Sequence, residues 1–304
     1  MNSPFEPLNA STRFCAVYGY PVKHSASPAM HNAALNHLRL NWRYAGFDVV
    51  PEHLGAAIAG AAAMNFIGLN LTVPHKMLAM KLVDVVDERA RKYGAINTVR
   101  FETNVNGEWK PIGQTSANET QKIRSHGFNT DADAIIRSIR EDIGIHLPES
   151  RVLLLGAGGA GRVAALRLAE EGVRELWLVN RTASKVQELM KEINSVCPGV
   201  LVQIGYPEKK IELVINATSA GLRPEDGLPF EVGKFSLRNS GYAYDMIYRP
   251  AETPFLIEAK RSGCKISNGL GMLLYQGAAA LELWTGVPSP IEVMREALKR
   301  NIYG

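Results

Sequence analysis

The stretch Arg151–Glu171 limits the fold more than any other part of this chain. An apolar segment, RVLLL, runs into the glycine-rich turn GAGGAG and then into an amphipathic segment at Arg162–Glu171. This order is typical of a parallel strand whose following helix begins at the pyrophosphate of a dinucleotide. Gly156 permits the tight turn, and Gly158 lets the backbone approach the phosphates. The glycine pattern alone is a weak signal, but with its flanking strand and helix it predicts a dinucleotide-binding unit.

The segment after the next strand indicates which dinucleotide is bound. The strand Glu175–Val179 ends at Asn180, where an NAD-preferring site carries an acidic residue for the ribose 2′-hydroxyl. Arg181, Thr182 and Lys185 follow instead, and together they can hold a 2′-phosphate through charge-assisted hydrogen bonds. We therefore predict NADP rather than NAD. Lys185 also fits a solvated helix surface, so it is the least specific of the three.

Strands and helices alternate in the first part of the chain, which is typical of parallel βα units. Branched and aromatic runs predict the strands, and glycine and proline mark the turns between elements. The predicted strands cover Arg13–Tyr18, Trp42–Asp48 and Phe66–Val73, and the predicted helices cover Ser27–Leu38 and Glu52–Met64. This order predicts a mainly parallel α/β domain.

Polar side chains follow the first and third of these strands. Ser25 and Ser27 come after the first strand, and Asn70, Thr72 and Lys76 lie at the end of the third. Parallel sheets bind their ligands beyond the carboxyl ends of the strands. We therefore expect these side chains at one edge of the sheet.

Lys76 is the candidate for chemistry at this edge, because an ammonium there can hold a polar ligand and transfer a proton. The alternative is an ordinary surface lysine, which is our interpretation of Lys81 one helical turn later. Ser27 precedes Pro28 and also fits a helix N-cap. A second hydroxyl on Ser25, near the first N–H groups of a helix, suits an anion or a polyol.

Further candidates follow towards the middle of the chain. A predicted strand at Gly94–Val99 carries Asn97, and Asp131 precedes a helix predicted at Asp133–Asp142, where a carboxylate keeps its charge. Asp131 fits either a functional acid or a simple cap. Residues 104–126 are polar and rich in turn formers, so we expect a surface hairpin loop.

The remaining elements complete the dinucleotide unit and then return to the first part. Strands are predicted at Glu212–Asn216 and Tyr242–Met246, and helices from Pro254 with Thr253 as N-cap, at Asn268–Trp284 and at Pro288–Arg300. Gln276 fits either a cleft-facing or a buried side chain, and we expect the last two helices to pack on the first domain. The predicted domains are residues 1–133 with 269–304 for substrate and catalysis, and residues 134–268 for NADP.

Length and composition exclude several other classes of protein. A chain of 304 residues suggests two domains, and a net charge of +4 with interspersed signs argues against nucleic-acid or membrane binding. Three cysteines without CxxC spacing and seven histidines without a metal-type pair predict neither a disulfide framework nor a metal site. The polar N-terminus lacks a signal-peptide pattern, and no apolar run reaches the ~18 residues of a membrane span. We expect a cytoplasmic protein whose partner is a small-molecule substrate, with a homodimer left open.

Nine short motifs together resemble one family, the shikimate dehydrogenases. In chain order they are HSASP, NLTVPHK, GAINT, FNTD, GAGGAG, NRTASK, NATSAG, DMIYRPAETPF and NGLGMLLYQ, and they extend over nearly the whole chain. The resemblance implies the reversible NADPH-dependent reduction of 3-dehydroshikimate to shikimate in aromatic amino-acid biosynthesis. The expected fold is two-domain α/β, with an N-terminal substrate domain, a Rossmann-type NADP domain, and C-terminal helices packed back on the first.

The resemblance also assigns roles to the residues that match the family's motifs. It makes Lys76 and Asp131 the catalytic pair. The substrate-binding residues that it implies are Ser25, Ser27, Asn70, Thr72, Lys76, Asn97, Asp131, Tyr248 and Gln276. The cofactor-binding residues that it implies are Gly156, Ala157, Gly158, Gly159, Ala160, Asn180, Arg181, Thr182, Lys185, Thr218, Met246 and Gly269.

The chain departs from the family pattern in four places. His75 stands where Phe is common, Asn268 where Asp is common and Ala132 where Gly is common, and the loop at 114–126 is longer than usual. None of these removes a catalytic group, but quinate-using relatives share the same core motifs. One alternative is therefore a quinate/shikimate dehydrogenase of broader substrate or cofactor use. Another is a nucleotide-binding regulator without catalysis, against which the retained catalytic pair argues.

Overall fold

A computed structural model of the chain describes residues 7–115, 122–223 and 225–304. The chain divides into two compact units. The first comprises Met1–Thr130 and Leu274–Gly304, and the second comprises Asp131–Leu273. Asp131, which we placed in the first domain, is thus the first residue of the second unit.

The first unit is built on a mixed sheet. Its strands are β1 (Arg13–Gly19), β2 (Trp42–Asp48), β3 (Gly68–Leu71), β4 (Val85–Val86), β5 (Thr98–Val105), β6 (Glu108–Pro111) and β7 (Ile123–Phe128). They lie in the order β2-β1-β3-β5-β7-β4, with β6 beside β5. β1 is parallel to its two neighbours, β2 and β3, and β4 is parallel to β7. β5 runs antiparallel to β3, β6 and β7. The predicted α/β organisation is confirmed. The parallel pairing that we predicted is found in the half of the sheet around β1.

The hairpin predicted within residues 104–126 is confirmed, but the described residues after it form a 3-10 turn and part of a strand, so the prediction of a loop throughout is wrong. Asn106 and Gly107, with φ of 53° and 90°, turn the chain from β5 into β6, as an Asn-Gly pair favours in a hairpin. A 3-10 turn at Ile112–Gln114 follows, and β7 returns beside β5. The loop expected at 114–126 therefore ends within β7, and its residues 116–121 lie outside the described ranges.

A buried carboxylate holds the charged residues of β5 and β7 together. Glu102 is 2 % exposed and contacts the guanidinium groups of Arg100 and Arg124 and the Nδ1 atom of His126. Burial acts to raise the pKa of Glu102, but hydrogen bonds from His126 and both arginines outweigh it and lower the pKa to about 2. Because the carboxylate and the surrounding cationic side chains neutralise one another's charge, these residues can occupy neighbouring central strands.

The helices of the first part mostly begin and end near their predicted limits. They are α1 (Ser27–His37), α2 (Leu54–Ala63), α3 (His75–Leu78) and α4 (Glu88–Tyr93). α1 has Ala26 as its N-cap and no side-chain cap, so the prediction that Ser27 caps it is wrong. Ser27 is instead buried in the first turn, and its hydroxyl does not cap the helix.

The second unit has a fully parallel sheet. Its strands are β8 (Arg151–Leu155), β9 (Glu175–Val179), β10 (Leu201–Ile204), β11 (Ile211–Asn216), β12 (Ser240–Asp245) and β13 (Lys265–Ser267). They lie in the order β10-β9-β8-β11-β12-β13, and every pair is parallel. This is the predicted Rossmann-type arrangement, to which the structure adds the unpredicted strands β10 and β13.

Helices connect the strands of the second unit. They are α5 (Asp131–Ser138), α6 (Gly159–Glu170), α7 (Ala183–Val196) and α8 (Pro254–Arg261). α5 begins at Asp131, earlier than predicted, and continues as a π-helical turn at Ile139–Ile143. The predicted cap of α8 is confirmed, since Thr253 Oγ1 accepts a hydrogen bond of 3.3 Å from Leu256 N–H.

The chain ends with α9 (Leu270–Thr285) and α10 (Ile291–Tyr303). α10 packs against α1, and Trp284 on α9 is fully buried and donates from Nε1 to the Val99 carbonyl over 3.0 Å. A Cβ atom on Gly68 of β3 would lie 2.1 Å from that Nε1 atom, so only glycine fits there. The prediction that the C-terminal helices pack on the first unit is confirmed. Among the described residues, no helix has the length and apolar composition of a membrane span.

Candidate active site

The first unit brings the ends of β1 and β3 to one edge of its sheet. Because the two strands are parallel neighbours, the segments that follow them leave in the same direction. Thr72 N–H donates to the Tyr18 carbonyl over 2.9 Å, and a Cβ atom on Gly19 would lie 2.4 Å from Thr72 Cγ2. The turn after β1 is fixed by Val22 N–H, which donates to Asp48 Oδ1 over 2.7 Å. Glycine at 19 therefore allows the two strand exits to touch.

Asn70 and Asn97 form the centre of this edge. Asn70 Nδ2 donates to the Asn97 carbonyl over 3.2 Å and to Thr98 Oγ1 over 3.1 Å. Asn97 Oδ1 accepts from Thr130 N–H over 2.7 Å, and its Nδ2 lies 3.4 Å from Gln276 Oε1. Both asparagines are nearly buried, at 5 % and 2 % exposure. The structure thus brings three predicted substrate residues into one hydrogen-bonded row, with every amide orientation fixed by a backbone group or by its neighbour.

Lys76 lies in α3, beside this row. Its carbonyl accepts a hydrogen bond of 2.8 Å from Ile96 N–H, next to Asn97, so its backbone position is tied to the centre of the row. His75 N–H donates to the Thr72 carbonyl over 2.8 Å. The His75 side chain is buried, and burial lowers its pKa. Lys76 itself is half-buried, which leaves its side chain accessible to a ligand.

A residue that the sequence analysis missed lies behind Asn70. Tyr44 of β2 is 3 % exposed, and its Oη donates to Asn70 Oδ1 over 2.7 Å. The Ser27 side chain lies close to the same phenol. Ser25 Oγ in turn accepts from Ser27 N–H over 3.3 Å. In the sequence, Tyr44 is one aromatic residue in an ordinary strand, and only the strand pairing places it behind Asn70.

The glycine-rich turn of the second unit provides a cradle for phosphate. Gly156 has φ of 105°, and a Cβ atom there would lie 2.9 Å from the Ala217 carbonyl. A Cβ atom on Gly161 would lie 2.1 Å from the Gly156 oxygen, whereas Cβ atoms on Gly158 and Gly159 would meet nothing within 4 Å. α6 begins at this point without a side-chain cap. Two glycines are thus needed for packing, and the other two leave space at a helix N-terminus that fits a pyrophosphate.

Asn180 links the glycine-rich turn to the start of α7. Its Oδ1 accepts from Ala157 N–H over 3.0 Å, and its Nδ2 donates to the Thr182 carbonyl over 3.0 Å. Arg181, Thr182 and Lys185 are exposed beside it. The two cations lie at the N-terminal turn of α7, where a phosphate group is favoured.

An apolar cleft lies next to Asn180. Its volume is about 470 Å³, and its walls include Leu178, Val186, Ile204 and Tyr206. The cleft is located where β9 and β10 end, the position at which parallel sheets bind nucleotides. Its size and the apolar part of its wall fit a planar base, and Glu208, Glu231 and Lys234 also line it.

The remaining predicted cofactor residues surround a buried pair, Asn216 and Asp245. Asn216 Nδ2 donates to Asp245 Oδ1 over 3.0 Å, and Thr218 Oγ1 donates to Asn216 Oδ1 over 2.7 Å. A Cβ atom on Gly269 would lie 2.1 Å from the Met246 carbonyl oxygen, so glycine is required there. Asn216 and Asp245 belong to motifs that the sequence showed, yet their role in holding these loops depends on contacts that it does not reveal.

Two predicted substrate residues belong to the second unit. Asp131 is 7 % exposed in the first turn of α5, and Tyr248 is half-buried, with burial raising the pKa of its hydroxyl. Among the described residues, no group of three or more His, Cys, Asp or Glu side chains is arranged to hold a metal ion.

Family models match three parts of the chain. Residues 17–99 match the shikimate dehydrogenase substrate binding domain. Residues 138–222 match the shikimate / quinate 5-dehydrogenase model, and residues 269–299 match the shikimate 5'-dehydrogenase C-terminal domain. The matched ranges include the row around Asn70 and the glycine-rich turn.

Whole proteins of known identity are similar over nearly the full length. The shikimate dehydrogenase (NADP(+)) of Methanopyrus kandleri is 37 % identical, over 97 % of this chain and 98 % of that protein. The corresponding protein of Desulforamulus reducens is also 37 % identical, over 97 % of both chains. A crystal structure of shikimate 5-dehydrogenase from Thermus thermophilus, in complex with NADP(H) and shikimate, is 37 % identical with a TM-score of 0.78, over 95 % of this chain and 99 % of that one.

Proposed function

The chain belongs to the shikimate dehydrogenase family, and from this premise we propose that it catalyses the NADPH-dependent, reversible reduction of 3-dehydroshikimate to shikimate. One observation carries the proposal beyond the family relationship. The backbone of Lys76 is tied by Ile96 to the Asn70–Asn97 row. This supports a role for Lys76 as proton donor to a polyhydroxy acid held by the amides and hydroxyls of the row.

We assign cofactor binding to the second unit. The N-terminus of α6 and the open side of Gly158 and Gly159 would hold the pyrophosphate. Arg181 and Lys185 would hold the 2′-phosphate, and the loops around Thr218 and Met246 would hold the nicotinamide half. When bound, NADPH supplies the hydride that reduces the substrate carbonyl.

We assign substrate binding and proton transfer to the side chains of the first unit together with Asp131 and Tyr248. Asn70, Asn97 and Gln276 would hold hydroxyl groups of the ring, and Ser25 and Ser27, at the start of α1, would contact its acidic end. Orienting the substrate in this way accelerates the reaction because the loss of rotational freedom occurs on binding.

Lys76 and Asp131 are the proposed catalytic pair. The Lys76 ammonium donates a proton to the carbonyl oxygen as negative charge develops there. In the reverse direction, the neutral Lys76 amine takes the proton from the substrate hydroxyl. Before the proton moves, the same ammonium stabilises the developing charge. Asp131 accepts a hydrogen bond from the substrate hydroxyl.

A direct assay tests the proposal. Purified protein is incubated with shikimate or quinate and with NADP⁺ or NAD⁺, and reduced nicotinamide is followed by its absorbance. We expect the highest kcat/KM for shikimate with NADP⁺. Preference for quinate or NAD⁺ would favour the broader dehydrogenase, and NADP binding without turnover on either acid would favour a regulator.

Two expectations about the protein's state accompany the proposed activity. We propose a reducing, cytoplasmic location, supported by Cys15, Cys197 and Cys264, all of which are free thiols. We also propose a homodimer as the state to test against a monomer, by size-exclusion chromatography with light scattering. The proposed partner is the small-molecule substrate alone, with no nucleic acid.

A further inference from the structure

Tyr44 lies behind two predicted substrate residues. Its phenol donates to Asn70 Oδ1 over 2.7 Å, and the Ser27 side chain lies close to the same phenol. The direction of each bond is determined by chemistry. The Asn97 carbonyl can only accept, so Asn70 must direct Nδ2 towards it and Oδ1 towards Tyr44.

The ring of Tyr44 is itself held in place. It stacks on His31 of α1 with ring centroids 4.2 Å apart and planes 4° apart, and Trp284 lies against both rings at centroid distances of 5.6 Å and 6.2 Å. Burial lowers the pKa of His31 to about 3, so the ring is neutral, and neither of its nitrogens has a hydrogen-bond partner among the described residues. His31 therefore contributes a flat, uncharged surface that limits rotation of the phenol.

A buried hydroxyl is costly to the fold unless it is hydrogen-bonded. Phenylalanine at position 44 would keep the ring stack and avoid the cost of burying a hydroxyl. The tyrosine hydroxyl therefore indicates a role beyond packing. Burial raises the pKa of Tyr44 well above its usual value, so the phenol keeps its proton as a donor at any working pH.

We propose that Tyr44 is a positioning residue for the substrate, acting through Asn70: its hydroxyl, held by the stack of its ring on His31, fixes the amide that binds a ring hydroxyl of the substrate. This inference rests on the proposed function, since it assumes a polyhydroxy acid at the Asn70 edge. Nothing in the role of Tyr44 requires contact with the substrate.

Tyr44→Phe tests the inference by removing only the hydroxyl. We expect kcat/KM for shikimate to fall about 5- to 20-fold, because a buried amide oxygen loses its partner. The KM for shikimate should rise and kcat fall while the KM for NADP⁺ stays unchanged. A purely structural effect would lower the amount of active enzyme and leave both KM values unchanged. Wild-type values of kcat and both KM values in Tyr44→Phe would overturn the inference.

A double-mutant cycle and a matched control complete the test. In an Asn70→Ala background, Tyr44→Phe should change kcat/KM by less than about twofold, because the Asn70 amide through which Tyr44 acts is absent. An undiminished effect there would also overturn the inference. Tyr244→Phe is the control: Tyr244 is equally buried and hydrogen-bonded to Ser138 Oγ at 2.9 Å, but lies in the other unit. We expect its kcat/KM for shikimate to stay near the wild-type value.

A crystal structure of Tyr44→Phe separates this inference from the proposed function. The inference predicts a displaced or rotated Asn70 amide in the variant, whatever the protein's substrate is. An unchanged Asn70 would overturn the role of Tyr44 even if shikimate is the substrate. Absence of shikimate turnover by the wild-type protein would instead overturn the proposed function.

Discussion

The side-chain oxygen of Asn180 accepts a hydrogen bond of 3.0 Å from the backbone N–H of Ala157. This contact ties the loop after β9 to the glycine-rich turn, at the position where NAD-preferring sites carry an acidic side chain for the ribose. Asn180 therefore fixes the shape of this loop, and we propose that Arg181 and Lys185 discriminate between the cofactors by charge. The two roles predict different consequences of substitution.

Arg181→Ala should weaken NADPH far more than NADH. A charge-assisted hydrogen bond to the 2′-phosphate is worth roughly 1.5–3 kcal/mol, or on the order of 10- to 100-fold in affinity. Fluorescence titration with each reduced cofactor measures this. Arg174→Ala, at another exposed arginine of the same unit, is the charge-matched control. An equal loss for both cofactors in Arg181→Ala would rule out a 2′-phosphate contact.

Lys76→Ala should abolish most of the turnover and leave NADPH binding unchanged. Proton transfer by a positioned side chain contributes about 10²–10⁴-fold to rate, and the lysine lies outside the unit that we assign to the cofactor. Lys81→Ala is the control, because Lys81 is exposed in the next turn of the same segment. Comparing kcat with the NADPH dissociation constant separates the two effects. Near-normal turnover in Lys76→Ala would remove Lys76 from the mechanism.

Two alanine substitutions in the glycine-rich turn should affect two different properties, one the stability of the fold and the other the binding of the cofactor. Gly161→Ala places a Cβ atom 2.1 Å from the Gly156 oxygen, so we expect a lower thermal unfolding temperature. Gly159→Ala meets no protein atom within 4 Å, so the fold should be retained while the methyl group obstructs the phosphates. Differential scanning calorimetry and cofactor titration on both variants measure the two quantities. Unimpaired NADP binding by Gly159→Ala would contradict the placement of the pyrophosphate.

Glu102→Gln should destabilise the protein in a pH-dependent way. The pKa of Glu102 is lowered from 4.5 to about 2 in the folded protein, so its ionised form contributes stability above pH about 4.5 that is lost as pH falls towards 2. We expect a loss on the order of 2 kcal/mol at pH 7 that becomes smaller below pH about 4.5. Urea unfolding followed by circular dichroism at several pH values measures it. Glu108→Gln, at an exposed glutamate of β6, should show almost no change, and a pH-independent loss in Glu102→Gln would contradict the lowered pKa.

The sequence predicted the parts of the fold in which local pattern and tertiary structure agree. β2 and β9 occur at their predicted limits, because branched and aromatic residues are bounded there by clear turn signals. The glycine-rich turn was identifiable because each glycine has a local reason. The substrate edge was predictable in part, since parallel strands direct their exits to one side of a sheet.

The missed features depend on contacts between segments distant in sequence. β7 was not predicted because Arg124 and His126 suggest solvent, and only their pairing with Glu102 on β5 allows them a central strand. The capping alternative for Ser27 was wrong because α1 begins one residue earlier than the local sequence suggests, with Ala26 as its N-cap. Tyr44 itself has no local signature, since an aromatic residue in a buried strand usually has a packing role alone.

The order of the two units along the chain has a consequence for synthesis. The second unit is one continuous segment, Asp131–Leu273, whereas the first needs both ends of the chain. Trp284 and α10 fill its core against Val99 and α1. On the ribosome, the first unit therefore stays incomplete until residues 274–304 emerge, and the second unit is the first that can finish folding. Removal of residues 274–304, far from Lys76 in sequence, should consequently cost the first unit its core before it affects the second.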